Sequence, residues 1–208
     1  MSKKVSLSEK EMQIMQDTDF LLTRRRINVK INHLLLQCEG KLKEFIHTTP
    51  INFPEGTQYH AGKIARGENY RKLPYYILDY PRLFSRSSIF SLRTMFWWGH
   101  YFVVTLHLSG KALEQFRPAL LQSVSQLTLS DLRIYKNQHD PWQHHHSEEN
   151  YRCLDTYEKP DLREIISTQE HVKLSRTLSL EDWNILPDFT LNFFKQMLTL
   201  ISLHEESK

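Results

Sequence analysis

The chain has few of the residues on which common enzyme motifs depend. Only 6 glycines and 2 cysteines occur among its 208 residues. Phosphate-cradling loops and nucleophile elbows need several glycines at fixed spacing, and structural zinc sites need paired cysteines. None of the patterns GxGxxG, GxxxxGKS/T, GxSxG, HExxH and CxxC is present. This absence favours a non-enzymatic binding or interaction protein over an enzyme.

Long apolar runs are also absent. No window approaches the roughly 18 consecutive apolar residues of a membrane span, and residues 1–13 carry charges where a signal peptide needs an apolar core. Cys38 and Cys153 have no metal-ligand spacing, so we expect two reduced thiols rather than a disulfide. A cytoplasmic protein without a membrane partner is the expectation.

The composition is that of a folded chain. Apolar residues make up 40% of it and charged residues 25%, and 27 Lys and Arg against 24 Asp and Glu give a net charge of +3. A chain of this length buries enough surface for one sizeable core. Because no internal repeat or flexible linker interrupts the sequence, residues 1–208 are expected to form a single α+β domain.

Helical periodicity is clearest near the start of the chain. The tetrapeptide SLSE at positions 6–9 has the spacing of a capping box, so a helix is expected to start near Ser8. Between residues 27 and 46, apolar side chains recur at steps of three and four, which places them on one helix face. This helix is expected to run to His47, either unbroken or interrupted near residues 23–26.

Two further long helices are expected in the second half of the chain. Ser109 is expected to cap a helix that ends near Leu127 and is kinked or restarted at Pro118. Asp188 is expected to cap the closing helix, and a short helix is expected over residues 161–168.

The most apolar stretch, residues 89–108, predicts a β-hairpin. Gly99 and His100 suit a two-residue turn, because a type II′ turn needs glycine at its first central position. With that turn, His107 shares a face with Phe96, and both faces of the hairpin are largely apolar. Both faces are therefore expected to be covered, by helices or by another layer.

Shorter segments complete the expected architecture. A helix over residues 88–98 is the alternative to the first hairpin strand, and a helical turn over residues 60–66 is the alternative within a loop over residues 51–74. Further strands are expected over residues 75–80, 132–136, 151–157 and 171–178. The predicted fold class is α+β, with a central antiparallel sheet that a long N-terminal helix, a middle helix and a C-terminal helix pack against.

Basic residues are concentrated between Gln58 and Arg93. The stretch holds Lys63, Arg66, Arg71, Lys72, Arg82, Arg86 and Arg93 against Glu68 and Asp79. Guanidinium groups bind phosphate or carboxylate, tyrosines stack on bases, and glycines let the backbone approach a ligand. Segment 59–86 is therefore the candidate site for a protein partner or an anionic ligand, nucleic acid included. The candidate ligand-binding residues are Lys63, Arg66, Tyr70, Arg71 and Arg93.

A structural role is the alternative for the same residues. Long loops rich in glycine and arginine also satisfy their own backbone and pair with nearby carboxylates. Arg93 in particular lies among apolar residues of the hairpin, where a buried charge needs a partner such as Asp79 or Glu68. His107 is interpreted as a core histidine rather than a catalytic base.

A histidine-rich segment at residues 139–146 is the candidate metal site. Imidazole and carboxylate groups bind zinc, nickel and ferrous iron, so His139, His144 and His146 are the candidate ligands of a divalent metal. This set defines the alternative function, a metal-dependent hydrolase. Consecutive histidines on a strand point to opposite faces, however, which favours a solvated polar loop and no cofactor.

A third hypothesis concerns self-association. The aromatic residues of the 89–108 hairpin suggest a surface through which two copies form a homodimer.

Overall fold

The computed structural model describes residues 5–126, 131–137 and 139–202. Within them the chain forms five α-helices and one seven-stranded antiparallel sheet, which confirms the predicted α+β class. The helices are α1 (Glu9–Gln16), α2 (Thr18–Thr48), α3 (Gly110–Gln122), α4 (Lys159–Thr168) and α5 (Leu186–Ile201). The strands are β1 (Lys63–Tyr70), β2 (Leu73–Phe84), β3 (Ser88–Trp97), β4 (Tyr101–Ser109), β5 (Arg133–Tyr135), β6 (Tyr151–Cys153) and β7 (His171–Ser179).

The sheet has the strand order β1-β2-β3-β4-β7-β5-β6, so β1 is an edge strand. Side chains on one face pack against α2, α3, α4 and α5 and form the main core, which includes Leu78, Phe90 and Phe102. The other face, called the outer face below, carries a small apolar cluster around Met95 and Trp97. The loop over residues 137–150 covers much of the rest of that face. The expectation that both faces are covered is confirmed, with helices on one face only.

The N-terminal helices begin as predicted but break elsewhere. Ser8 caps α1, and the capping box is completed by Glu11, whose carboxylate accepts a hydrogen bond from the Ser8 backbone N–H at 2.7 Å. The interruption lies at Asp17 and not near residues 23–26. The Asp17 side chain accepts from the Phe20 backbone N–H at 2.8 Å and so starts α2.

The predicted hairpin of β3 and β4 is confirmed, but its turn and face assignment are wrong. Three residues, 98–100, connect the strands, and Gly99 has a φ of +74°, a conformation that favours glycine. Phe96 therefore pairs with Phe102 and Ser91 pairs with His107. One extra turn residue shifts the whole of β4 by one position, so His107 lies on the outer face, opposite to Phe96. The helical alternative for residues 88–98 is also wrong.

Segment 51–74 is only partly the predicted loop. The alternative of a helical turn over residues 60–66 is wrong, because β1 begins at Lys63. Arg71 and Lys72 form a tight turn with φ values of 51° and 69°, and β2 then runs well beyond the predicted residues 75–80. Pro81 lies within β2 at a shift of the register between Asp79 and Arg82, where a missing N–H interrupts no regular ladder.

The remaining elements agree with prediction except at their caps. Strands β5, β6 and β7 and helix α4 lie where they are expected. Ser109 precedes α3 without a side-chain cap bond, and Pro118 lies inside that helix. Helix α3 ends at Gln122 and a 3-10 turn follows over Ser123–Gln126, so the helix is shorter than the prediction, whose end at Leu127 lies outside the described residues. Asp188 lies in the first turn of α5 instead of capping it, and pairs with Lys41 at 2.5 Å.

Two further predictions concerned the cysteines and the lack of a membrane-spanning segment. Cys38 and Cys153 are not joined by a disulfide. In the part of the chain that the structure describes, no helix has the length and apolar character to cross a membrane.

Candidate functional site

The five predicted ligand-binding residues lie in two separate places. Lys63 and Arg66 are exposed on the edge strand β1, whereas Tyr70, Arg71 and Arg93 contact the histidine-rich loop on the outer face. The fold therefore separates residues that lie close together in the sequence.

Arg93 forms a buried ion pair on the outer face. Its Nε and Nη2 donate to the two carboxylate oxygens of Asp79 at 2.7 and 2.8 Å. Its Nη1 donates to Nε2 of His144 at 2.7 Å. Asp79 also accepts from the Ser91 hydroxyl at 3.1 Å. The sequence expectation that a buried arginine pairs with a carboxylate is met by Asp79.

Tyr70 and Arg71 hold the same loop from the tip of the β1–β2 hairpin. The Tyr70 hydroxyl oxygen accepts the backbone N–H groups of His144 at 2.6 Å and of His145 at 3.1 Å. The Arg71 guanidinium donates to the His145 ring at 3.1 Å. Tyr70, Arg71 and Arg93 are thus engaged by the chain's own loop.

The histidine-rich loop is not the solvated segment that the sequence suggested. His144 and His145 are only 6% and 7% exposed, because the loop exchanges water for hydrogen bonds with Tyr70, Arg71 and Arg93. Burial, followed by the charge of Arg93, holds the pKa of His144 well below its usual range.

The three candidate metal ligands do not converge on one point. The His144 ring is bonded to Arg93, the His146 ring lies 2.8 Å from the Ser175 hydroxyl, and His139 is exposed. Within the described residues no three His, Cys, Asp or Glu side chains are placed to hold a metal ion. The side-chain geometry therefore lends no support to the metal-dependent hydrolase.

Lys173 is a buried amine that the sequence did not predict to lie at this face. Its side chain is fully buried on the outer face, and Nζ donates to the carbonyl oxygens of Pro141 at 2.9 Å and Gln143 at 2.5 Å. Burial, together with the nearby charge of Arg93, lowers the pKa of Lys173 to about 6. Lys173 alternates with Val172 and Leu174, which is the pattern of a solvent-facing residue, so the sequence offered no signal of its burial.

Burial also lowers the pKa values of the neighbouring histidines. The pKa of His146 falls to about 3, mainly through burial and then through the charge of Arg133. That of His107 falls well below its usual range, mainly through burial and then through the charge of Lys173. The outer face beneath the loop is thus a polar cluster whose histidines are neutral at physiological pH.

Arg66 lies in a different place, a groove between α2 and the edge strand β1. This α2/β1 groove has a volume of about 600 Å³. It is lined by Leu21, Arg24, Arg25, Asn28, Val29, Asn32, His33, Ile64, Ala65, Arg66 and Tyr76. Three arginines therefore meet in one groove, two of them from α2 rather than from segment 59–86. The run of three arginines at residues 24–26 was the signal that the sequence offered for them.

The charges of the α2/β1 groove are only partly compensated. Arg24 pairs with Glu68 at 2.5 Å. In residues 5–126, 131–137 and 139–202, no carboxylate forms an ion pair with Arg25 or Arg66. The side-chain oxygen of Asn28 is buried and has no hydrogen-bond partner. The groove thus presents two uncompensated guanidinium groups above an apolar floor.

A larger cavity of about 790 Å³ lies between the end of α2, α3 and α5. Its lining is mainly apolar, with Phe45, Phe53 and Phe116 among its side chains and Lys195 as its one charged group. Specific ligand sites combine apolar walls with convergent polar groups that fix the ligand, and the α2/β1 groove has three arginines where the larger cavity has a single lysine. We therefore take the α2/β1 groove as the candidate site.

No protein-family model, no curated protein and no solved structure matches this chain. Function is accordingly argued from the geometry and chemistry of the groove.

Proposed function

We propose that the protein is a binding protein that takes a phosphate-bearing ligand into the α2/β1 groove. The observation that supports this most directly is the convergence of Arg24, Arg25 and Arg66, with Glu68 as the single paired carboxylate. The ligand is of the anionic class expected from the sequence. Its proposed site, however, lies between α2 and β1 rather than within segment 59–86 alone.

The chemistry of the groove fits a phosphate. Guanidinium groups donate paired N–H bonds in the geometry of phosphate oxygens, and such charge-assisted bonds are stronger than neutral ones. Arg25 and Arg66 have no competing carboxylate among the described residues. A bound phosphate would supply the missing negative charge.

The size of the groove and its walls fit a ligand that also has an uncharged part. Its 600 Å³ lies within the roughly 300–1,000 Å³ of ligand pockets. Leu21 and Ile64 supply apolar contacts, while Asn28 and Asn32 supply hydrogen-bonding groups. A ligand of about nucleotide size, free or as part of a strand, meets these requirements.

Binding should depend on Arg25 and Arg66 together. We expect the double variant Arg25→Gln/Arg66→Gln to bind a fluorescein-labelled oligodeoxythymidine or a labelled mononucleotide at least about tenfold more weakly, since each lost charge-assisted bond costs about 1.5–3 kcal/mol. Fluorescence anisotropy at low salt measures the affinity. Both arginines are exposed, so circular dichroism should show an unchanged fold.

The matched control is Lys111→Gln/Lys159→Gln, which removes the same charge from exposed residues outside the groove. It should bind as the unmodified protein does. A steep loss of affinity with salt indicates several phosphates and hence a strand, whereas a shallow loss indicates a single nucleotide. Absence of binding by both probes at low salt, or equal weakening in the control, overturns the proposal.

A further inference from the structure

The start of the chain forms an arm that buries nothing within the described residues. No residue of α1 is buried, and residues 18–22 of α2 are exposed. The arm, residues 9–22, exposes six large apolar side chains: Met12, Ile14, Met15, Phe20, Leu21 and Leu22. An isolated helix as short as α1, with 8 residues, is marginal in water without tertiary contacts. The arm therefore implies that another surface covers it.

Part of the exposed apolar surface has the spacing of a helix–helix seam. Met15, Leu22, Val29 and Leu36 follow one another at intervals of seven residues. Each is about half exposed, at 56%, 48%, 51% and 48%. Residues seven apart lie on nearly the same side of a helix, and such a stripe is the pattern along which two helices pack. Leu22, Val29 and Leu36 belong to α2 and share one side of it, whereas Met15 belongs to α1, before the break at Asp17.

The charges around this stripe change sign along the chain. Residues 9–19 hold four carboxylates and one lysine, whereas residues 20–30 hold three arginines, one lysine and no carboxylate. Two copies in antiparallel orientation would place the acidic part of each over the basic part of the other. A parallel arrangement would place like charges together, which is destabilising.

We propose that the arm and the next two turns of α2 form a homodimer interface in which α2 packs antiparallel against α2 of a second copy, with Leu22 at the two-fold axis. Leu22 then meets Leu22 of the partner subunit, and Val29 lies near the start of the partner's α2. Asp19 and Arg26 lie on one flank of the stripe, so Asp19 of each copy faces the partner's Arg26. The contact is isologous and buries Leu22 and the part of the stripe nearest to it, whereas Leu36 lies beyond the overlap of the two helices. Arg25 lies on the other flank, towards the α2/β1 groove.

This interface differs from the dimer surface expected from the sequence. The aromatic residues of the β3–β4 hairpin are largely buried in the fold, Phe90 and Phe102 completely so. Self-association through residues 89–108 would therefore need the core to open. The arm, by contrast, exposes six large apolar side chains.

A charge exchange tests the orientation. We expect Asp19→Lys and Arg26→Glu to be monomeric when alone, because each places like charges across the axis. An equimolar mixture of the two variants should form a dimer, since the introduced lysine of one chain then faces the introduced glutamate of the other, and the native Arg26 faces the native Asp19. Light scattering coupled to size exclusion measures the mass. The weak contact between Asp19 and Arg26 within one chain, at 3.9 Å, is broken in both variants and does not explain recovery in the mixture.

A cysteine at the axis gives a second, independent readout. In a Cys153→Ser background, Leu22→Cys should form an intermolecular disulfide with its own counterpart under mild oxidation. Ile185→Cys is the matched control, because Ile185 is 52% exposed but far along the chain from the arm. It should stay uncrosslinked. Leu22 is exposed, so folding should not depend on it.

Two results overturn the proposal. One is a monomeric mass for the unmodified protein at every concentration that can be reached. The other is a dimer that survives Leu22→Lys and shows no crosslink through Leu22→Cys, which would place the interface elsewhere.

Discussion

On the outer face, side chains of the protein itself bind Arg93, one of the residues predicted from the sequence to bind a ligand. Arg93 joins β2, β3 and the histidine-rich loop through Asp79 and His144. The need of a buried arginine for a carboxylate was visible in the sequence, because only a paired charge is stable inside a fold. Its bond to His144, 51 residues away, was not visible, because nothing local fixes where the loop docks.

The Arg93–Asp79 pair should be costly to break from one side only. Arg93→Met leaves a carboxylate that is 5% exposed with the Ser91 hydroxyl as a remaining partner, so we expect the free energy of unfolding to fall by roughly 3 kcal/mol. The double variant Arg93→Met/Asp79→Leu should recover much of that loss, because no uncompensated charge remains. Urea denaturation measures both.

An exposed ion pair provides the control for this prediction. Lys41 and Asp188 are 41% and 61% exposed, and Lys41→Met should change the free energy of unfolding by less than about 1 kcal/mol. If Arg93→Met cost no more than Lys41→Met, the loss of its partner would not leave Asp79 as an uncompensated buried charge, and the prediction would be wrong.

At the scale of elements, the apolar periodicity and the composition of a segment predicted whether it forms a helix or a strand. The number of residues in a turn determined which residues of neighbouring strands pair. The β3–β4 hairpin was identified from its apolar run, but one additional turn residue reversed the faces of β4. Likewise β1 was hidden in a glycine- and charge-rich loop, because an exposed edge strand carries little apolar alternation. Local patterns thus specify element type better than register.

Two glycines should respond oppositely to alanine because their backbones differ. Gly110, between β4 and α3, has a φ of +55°, and a Cβ there would lie 2.1 Å from the Ser87 carbonyl oxygen. Gly110→Ala should therefore lower the free energy of unfolding by more than about 1 kcal/mol. Gly40 lies within α2 with open space around it, so Gly40→Ala should raise it by about 0.5–1 kcal/mol.

Chemical denaturation of the two alanine variants side by side measures this difference. The same residue change in both positions removes the side chain itself as a variable. Equal destabilisation of both variants would contradict the prediction for Gly40, because the described part of the structure has no atom near that position that an added Cβ would disturb.

For the whole molecule, the decisive feature is a sheet with helices on one face and a histidine-rich loop on the other. The packing of helices against one face of the sheet could be predicted, because the apolar residues of those helices recur at helical spacing. The loop side depends on bonds between residues about 75 apart in sequence, such as Tyr70 with His144 and His145, and a polar loop sequence does not reveal them. This docking buries neutral histidines, which couples the stability of the fold to pH.

The coupling has a definite sign. His107 is 4% exposed and faces Lys173, His171 and Arg93, so its pKa in the folded chain lies well below the value of about 6.5 in an unfolded chain. Above about pH 6.5 it is neutral in both states and has no effect. Below that pH the unfolded chain takes up a proton that the folded chain does not, and the free energy of unfolding falls as pH falls.

Replacing His107 should therefore flatten the acid side of the stability profile. We expect His107→Leu to remove up to about 1.4 kcal/mol per pH unit from the slope between about pH 6.5 and 4.5, whatever its effect at neutral pH. Urea unfolding at a series of pH values gives the slope. His139→Leu is the control, because that ring is exposed, and it should keep the slope of the unmodified protein. An unchanged slope in His107→Leu would mean that His107 becomes protonated while the chain is still folded. In that case the histidine-rich loop detaches from the outer face at acid pH before the protein unfolds.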